Sequence, residues 1–384
     1  MRFEFATAAR MVFGAGSIRE VAPAAAGMGR RALVVTGASA ERATPLIREL
    51  ESKGVACVRF AAAGEPTLEL IRQGAAFARE ERCELVIGMG GGSAVDAGKA
   101  LAALLTNPGD PLDYLEVIGR GQPLTHAAAP FLAIPTTAGT GSEVTRNAVL
   151  GSTEHRVKAS LRSPAMLARL AVIDPELTAG LSRPLTASTG LDALTQLIEP
   201  YVSARANAMT DQFCIEGLRR ASAALPRAWE NGGDREARES MSWAALLGGL
   251  ALANAGLGAV HGFAAPLGGM FAAPHGALCA AVLPHAMDIT VNALLARAPA
   301  GEALSRYDEV ARLLTGKPHA TAPDGVSWIG ALCRKLEIPR LHTYGVTAEH
   351  TPQLVEAAQK TSSMKGNPIT LTNEELSEIV QRAI

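Results

Sequence analysis

A chain of 384 residues is too long for one typical domain and predicts two. Its formal net charge of −1 leaves no basic footprint for nucleic acid and no general attraction to an acidic membrane, so small molecules are the expected partners. Hydrophobic residues make up 48% of the chain but aromatics only 4%, which predicts cores filled by Ala, Leu and Val, with many packed helices.

In chain order, residues 1–16 alternate Phe3, Phe5, Val12 and Phe13 around polar residues and read as a strand or hairpin at a sheet edge. Residues 17–26 read as a short helix, and 31–36 (RALVVT) as a buried strand ending in Gly37-Ala38-Ser39. A helix over 43–53, a strand over 56–60 and a helix over 68–80 continue the alternation. Strands alternating with helices of this length predict an α/β domain with a parallel sheet covered on both faces. Ligands of such sheets bind beyond the C-terminal strand ends, where Gly37 to Ser39 fall.

The stretch ELVIGMGGGSAVDAGKALAALL, from Glu84 to Leu105, reads as strand, glycine turn and helix. Ser93 and Asp96 have the spacing of a capping box, which predicts the helix start at Ser93. The bare amides of Gly90, Gly91 and Gly92, with Ser93, suit a phosphate, because unpaired N–H groups and the positive end of the helix dipole point the same way. Close strand–helix packing alone also asks for glycine here. The run FLAIPTTAGTGS then brings Thr136, Thr137, Thr140 and Ser142 into one tight loop at the same sheet edge, a second wall for a diphosphate or ribose.

Strand runs stop after residues 170–173, and a domain boundary is expected near residue 182, giving an α/β domain over 1–182 and a helical domain over 183–384. In the helical half Asp192 lies in GLDALTQLIEP, His261 in GLGAVHGFAAPLGG and His275 in APHGALCA. A carboxylate and two imidazoles on separate helices make a workable set for a divalent transition metal such as Fe or Zn. Gln196, four residues after Asp192, faces the same side of its helix and offers an amide oxygen. A glycine-flanked histidine in an Ala-rich helix is also often a packed core residue. Cys57, Cys83, Cys214, Cys279 and Cys333 are scattered singly with no CxxC, which suits a reduced, cytoplasmic chain. No charged-then-apolar leader and no uninterrupted apolar run of about 18 residues is present, so neither secretion nor a membrane span is expected.

Taken together, GMGGGSAVDAGKA, PTTAGTGSEVT, GLDALTQLIEP, the GAVHGFAAPLGG and APHG pair, and GNPITLT resemble, in collinear order, the iron-containing (group III) alcohol dehydrogenases. The resemblance implies a dinucleotide-binding domain, a helical domain, and hydride exchange between NAD(H) or NADP(H) and an alcohol or carbonyl carbon in the cleft between them. It implies a homodimer whose N-terminal strand, around Arg2 to Phe13, pairs across the interface. It places the diphosphate at Gly90 to Ser93, gives Thr136, Thr137 and Thr140 the adenine and ribose side, and brings Lys158 to the nicotinamide ribose.

Asp192, His261 and His275 match three of the family's four metal ligands, but the fourth place, a histidine in the family, holds Gln196. Ala265 stands where many members carry a second proton-relaying histidine. Gly37 replaces the Asp common in NAD-preferring members, with Ser39 and Arg42 nearby, so NADP(H) is expected to be tolerated and even preferred. The Gln196 departure keeps a maleylacetate reductase-like enzyme without tightly bound metal as the alternative.

Overall fold

Aliphatic runs bounded by glycine or polar turns become strands, and Ala- and Leu-rich runs between them become the helices that cover the sheet. The computed structural model describes residues 2–384. The first half forms β1 (Met11–Phe13), α1 (Val21–Ala26), β2 (Arg31–Thr36), α2 (Thr44–Ser52), β3 (Ala56–Ala61), α3 (Leu68–Glu80), β4 (Leu85–Gly90), α4 (Gly92–Thr106), α5 (Pro111–Tyr114), β5 (Phe131–Pro135), β6 (Asn147–Ser152), β7 (Val157–Arg162) and β8 (Leu170–Ile173). The second half is helical: α6 (Arg183–Val202), α7 (Ala208–Glu230), α8 (Arg235–Ala255), α9 (Ala259–Met270), α10 (His275–Arg297), α11 (Glu302–Thr315), α12 (Ala322–Lys335), α13 (Thr351–Gln359) and α14 (Asn373–Ala383). The chain divides into one unit of Phe5–Thr137 and Gly141–Thr178, and another containing Ala138–Thr140 and Ala179–Ile384.

In the first unit six parallel strands lie in the order β1-β8-β5-β4-β2-β3. Alternate residues serve opposite faces. Val34, Ile87, Leu132 and Val172 pack with Leu46 and Leu50 of α2 and Val21 and Ala25 of α1. On the other face Phe131 and Gly88 lie against Gly98 of α4, and Phe60 and Leu101 against Gly74 of α3. Burial of each such Leu, Val or Phe contributes about 1.5–3 kcal/mol. The central strand β4 is buried along its whole length, as a strand covered on both faces must be.

The N-terminal edge strand is found as expected, the start of α4 needs correction, and one hairpin is new. The N-terminal segment forms only the three-residue edge strand β1 beside β8, with no hairpin among its described residues, and Met1 lies outside the described residues. The start of α4 is not a capping box: Gly91 is the extended N-cap without a side-chain cap, and Ser93 lies inside the helix. Asp96 is drawn away because its carboxylate accepts from the Val149 amide at 2.9 Å and from the Ser142 hydroxyl. The antiparallel β6–β7 hairpin, a separate two-stranded sheet, was not anticipated.

In the helical unit α6 is buried on all sides from Thr186 to Val202 except at Thr189, packed against α7, α8 and α10. It is the centre of that unit rather than an amphipathic surface helix. The 23-residue α10 is long and apolar enough to cross a membrane by length and composition. Yet 72% of its most apolar window is buried inside the protein, as in a core helix.

Candidate functional site

Because α6 is enclosed, the polar groups it carries are taken out of water and need partners. Asp192 and Gln196 lie one turn apart on it, and Glu199 two turns from Asp192, so all three share a face. Glu199 meets the first turn of α9, whose leading amides have no partner within the helix. Its Oε1 accepts from the Val260 amide at 2.7 Å, while Asn367 Oδ1 accepts from Ala259 N at 3.2 Å. The other Glu199 oxygen accepts from His261 Nδ1 at 2.6 Å. That bond assigns a proton to Nδ1 and turns Nε2 toward Asp192.

His261 Nε2 faces Asp192 Oδ1 at 3.4 Å, yet neither atom has a hydrogen-bond partner, and neither does Gln196 Oε1. Asp192 is 1% exposed and His261 7%. Two acceptors turned toward each other out of water require a cation between them, a proton or a metal ion. His275, the first residue of α10, brings its Nε2 to 3.9 Å from the same Asp192 oxygen, and its ring lies 5.6 Å from that of His261. Gly276 allows the approach, since a Cβ there would lie 2.7 Å from the Ser188 carbonyl oxygen of α6. One turn along α10, the Cys279 sulfur lies 3.6 Å from His275 Nε2. Donor atoms of Asp192, His261, His275 and Cys279 all fall within 4.8 Å of one another.

Burial, the largest influence, disfavours charge on every member of this cluster, but the opposite charges beside each outweigh it. Cys279 and Glu199 hold His261 well above its ordinary range, and Cys279 and Asp192 push His275 up to about 9. The Asp192 carboxyl is held below its usual range by His261 and His275, and the Cys279 thiol below its own by the same imidazoles. The other four thiols are pushed up, chiefly by burial. The set therefore favours two anions beside two imidazolium cations, positive charge that a divalent transition metal would supply in place of the two protons. The structure thus brings Asp192, His261 and His275 together as expected and leaves Gln196 Oε1 buried without a partner on the same helix.

Glu199 and Cys279 were not singled out from sequence. Their signal was helical spacing, seven residues after Asp192 and four after His275. A carboxylate that orients a ligating histidine is usually worth 10–100-fold in metal affinity. Glu199→Gln is accordingly expected to weaken metal binding by roughly that factor, measured by competition with a chromogenic chelator.

In the α/β unit the turn after β4 is where phosphate chemistry was expected. Gly90 is enclosed, since a Cβ on it would lie 2.6 Å from the Ala94 side chain and 3.3 Å from the Gly37 nitrogen. Gly91 lies beside the Thr137 side chain, and the Thr136 amide donates to the Gly90 carbonyl at 2.8 Å. Gly37, Gly90, Gly91, Thr136 and Thr137 thus meet at adjacent C-terminal ends of β2, β4 and β5, with Gly92 and Ser93 opening α4. Ser39 is exposed beyond β2, and the Arg42 guanidinium donates to the Leu177 carbonyl at 2.5 Å. Lys158 on β7 is 6% exposed at its side chain; its Nζ has only Glu65 Oε1 at 3.4 Å and no hydrogen bond. Thr140 belongs to the helical unit's set of residues.

Asp96 and Ser142 turn their side chains to Lys99. This ammonium is fully buried and donates to Ser142 O (2.8 Å), Ser142 Oγ (3.0 Å), Thr145 Oγ1 (2.9 Å) and Asn147 O (2.7 Å), with Asp96 Oδ1 at 3.4 Å. Lys99 joins α4 to the loop after β5, and so holds the glycine turn's helix against the threonine loop.

Residues 8–175 match the family model described as iron-containing alcohol dehydrogenase, and 186–384 match the C-terminal model of the Fe-containing alcohol dehydrogenase family. The chain belongs to the iron-containing alcohol dehydrogenase family. Alcohol dehydrogenase 4 of Saccharomyces cerevisiae is 33% identical over 377 residues, 97% of this chain and 96% of that one. A crystal structure of a 1,3-propanediol oxidoreductase superposes with a TM-score of 0.90 at 32% identity, covering 100% of each chain. The sulfoacetaldehyde reductase of Bifidobacterium kashiwanohense, solved with NAD+, gives 0.85 at 27% identity over 99% of this chain and 98% of its own. Members of this family are alcohol and aldehyde oxidoreductases, and the chain is an enzyme of that class.

Proposed function

We propose that this iron-containing alcohol dehydrogenase family member transfers hydride between a small alcohol and its aldehyde or ketone. It would use NAD(H) or NADP(H) and one divalent cation, iron or alternatively zinc, held by Asp192, His261 and His275. The observation that carries the metal half is the set of buried acceptors without partners, Asp192 Oδ1, His261 Nε2 and Gln196 Oε1. When bound, the cation supplies polarisation of the substrate oxygen and the nicotinamide supplies or accepts the hydride.

The chain's own residues do the holding and orienting. Glu199 keeps the His261 proton on Nδ1 and so presents Nε2 as a donor atom. Gly91, Gly92 and Ser93 offer first-turn amides of α4 to a diphosphate. The buried Lys158 ammonium has hydrogen-bonding capacity to spare for a ribose hydroxyl. Gly37 supplies no carboxylate to repel a 2′-phosphate, which supports use of NADP(H). The named activities of the yeast, propanediol and sulfoacetaldehyde relatives support a small alcohol or aldehyde as substrate.

Steady-state rates of aldehyde reduction with NADH and NADPH, before and after exhaustive chelation, test the proposal. The expected result is turnover lost on chelation and restored by Fe(II) or Zn(II), with NADPH at least as good as NADH. Turnover unchanged by chelation would overturn the metal half and favour metal-independent reduction of an activated keto acid. A strong preference for NADH would overturn the cofactor half.

A further inference from the structure

We propose that Cys279 is itself a metal ligand, its thiolate closing the set that Asp192, His261 and His275 begin. The proposal rests on the reading of this cluster as a metal centre. The sulfur is fully buried and lies 3.6 Å from His275 Nε2, while Asp192 Oδ1 lies 3.4 Å from His261 Nε2 and 3.9 Å from His275 Nε2. Tetrahedral bonds of about 2.0–2.3 Å separate ligand atoms by about 3.3–3.8 Å, so these spacings need little adjustment around one ion. His275 and Cys279 sit one turn apart on α10, and the same helix face delivers both.

The second, independent observation is that the enclosed Asp192 Oδ1 and His261 Nε2 are aimed into the same space with no partner. Among the described residues Cys279 is the cysteine that belongs to such a cluster; Cys57 and Cys333 point at the backbone carbonyls of Val55 and Ala280 instead. The chemistry explains why an imidazole can be missing at position 196. One aspartate and neutral donors leave a divalent ion's shell at net +1, whereas Asp192 with the Cys279 thiolate makes it neutral. A thiolate also turns preference toward thiophilic ions such as Zn(II), Co(II) and Fe(II), and away from Mn(II) or Mg(II). An uncharged amide oxygen at Gln196 does neither.

Cobalt(II) titration of the chelated full-length protein, followed by absorption spectroscopy, tests this. The expected result is one equivalent of cobalt bound with an intense near-ultraviolet thiolate-to-cobalt band. Cys279→Ala should abolish that band and weaken cobalt and zinc binding by more than the roughly 10–100-fold typical of losing an outer partner, while Cys333→Ala should keep both. The double variant Cys279→Ala with Gln196→His should bind cobalt again without the band. One equivalent bound by the unaltered protein with no thiolate band, or a band and affinity unchanged in Cys279→Ala, would overturn the proposal and leave the metal reading standing. No cobalt binding by the unaltered protein would overturn both.

Discussion

Replacing His261 with alanine is expected to remove the metal and lower kcat/KM for aldehyde reduction by about 10³-fold or more, roughly 4 kcal/mol of transition-state stabilisation. The size follows from position. His261 is fixed by Glu199 on one nitrogen and faces the Asp192 carboxylate with the other, so its loss deletes a donor atom and leaves Asp192 and Glu199 as enclosed carboxylates without that partner. Elemental analysis of the purified variant beside its kinetics checks both halves. Because the Val260 amide still donates to Glu199 Oε1, the α9 N-terminus keeps one tie and the variant is expected to fold. A variant that retains metal and turns over at the original rate would show that His261 is only a packed core residue.

The second large effect concerns Lys99. Removing one partner from a buried charged network costs about 3–5 kcal/mol, because the groups left behind are uncompensated. Lys99→Met would remove the ammonium that the Ser142 and Asn147 carbonyls and the Asp96 carboxylate now face. At about 2–4 °C per kcal/mol for a unit of this size, the melting temperature is expected to fall by roughly 10 °C, read by calorimetry. Asp96 and Ser142 also brace the loop beside Thr136 and Thr137, so dinucleotide affinity should fall with stability. A shift of only a degree or two would mean that the network is replaceable by apolar packing.

The strands of the parallel sheet were legible because a strand buried on both faces must be a continuous aliphatic run, and RALVVT realises that from Arg31 to Thr36 as expected. The β6–β7 hairpin was not, since its turn lacks the usual Asn-Gly or Asp-Gly signal and Arg156 takes the left-handed conformation at φ 51° instead. At Ser93 and Asp96 the local capping signal lost to the Val149 amide and the Ser142 hydroxyl, which take the Asp96 carboxylate. Pairwise sequence logic cannot see that contest, because both partners lie more than 40 residues away.

The buried cluster was legible in part for a similar reason. Asp192, His261 and His275 announce themselves by residue type, whereas Glu199 inside an apolar helix and Cys279 among alanines look like ordinary members of their helices. Only the packing of α6 against α10, and of Glu199 against the start of α9, brings these side chains into one place.

Anomalous X-ray scattering from crystals of the metal-loaded protein, recorded on either side of the ion's absorption edge, bears most directly on the whole reading. The expected map holds a single strong peak within bonding distance of Asp192 Oδ1, His261 Nε2 and His275 Nε2. A fully loaded crystal with its peak elsewhere, or with none at these three atoms, would contradict it.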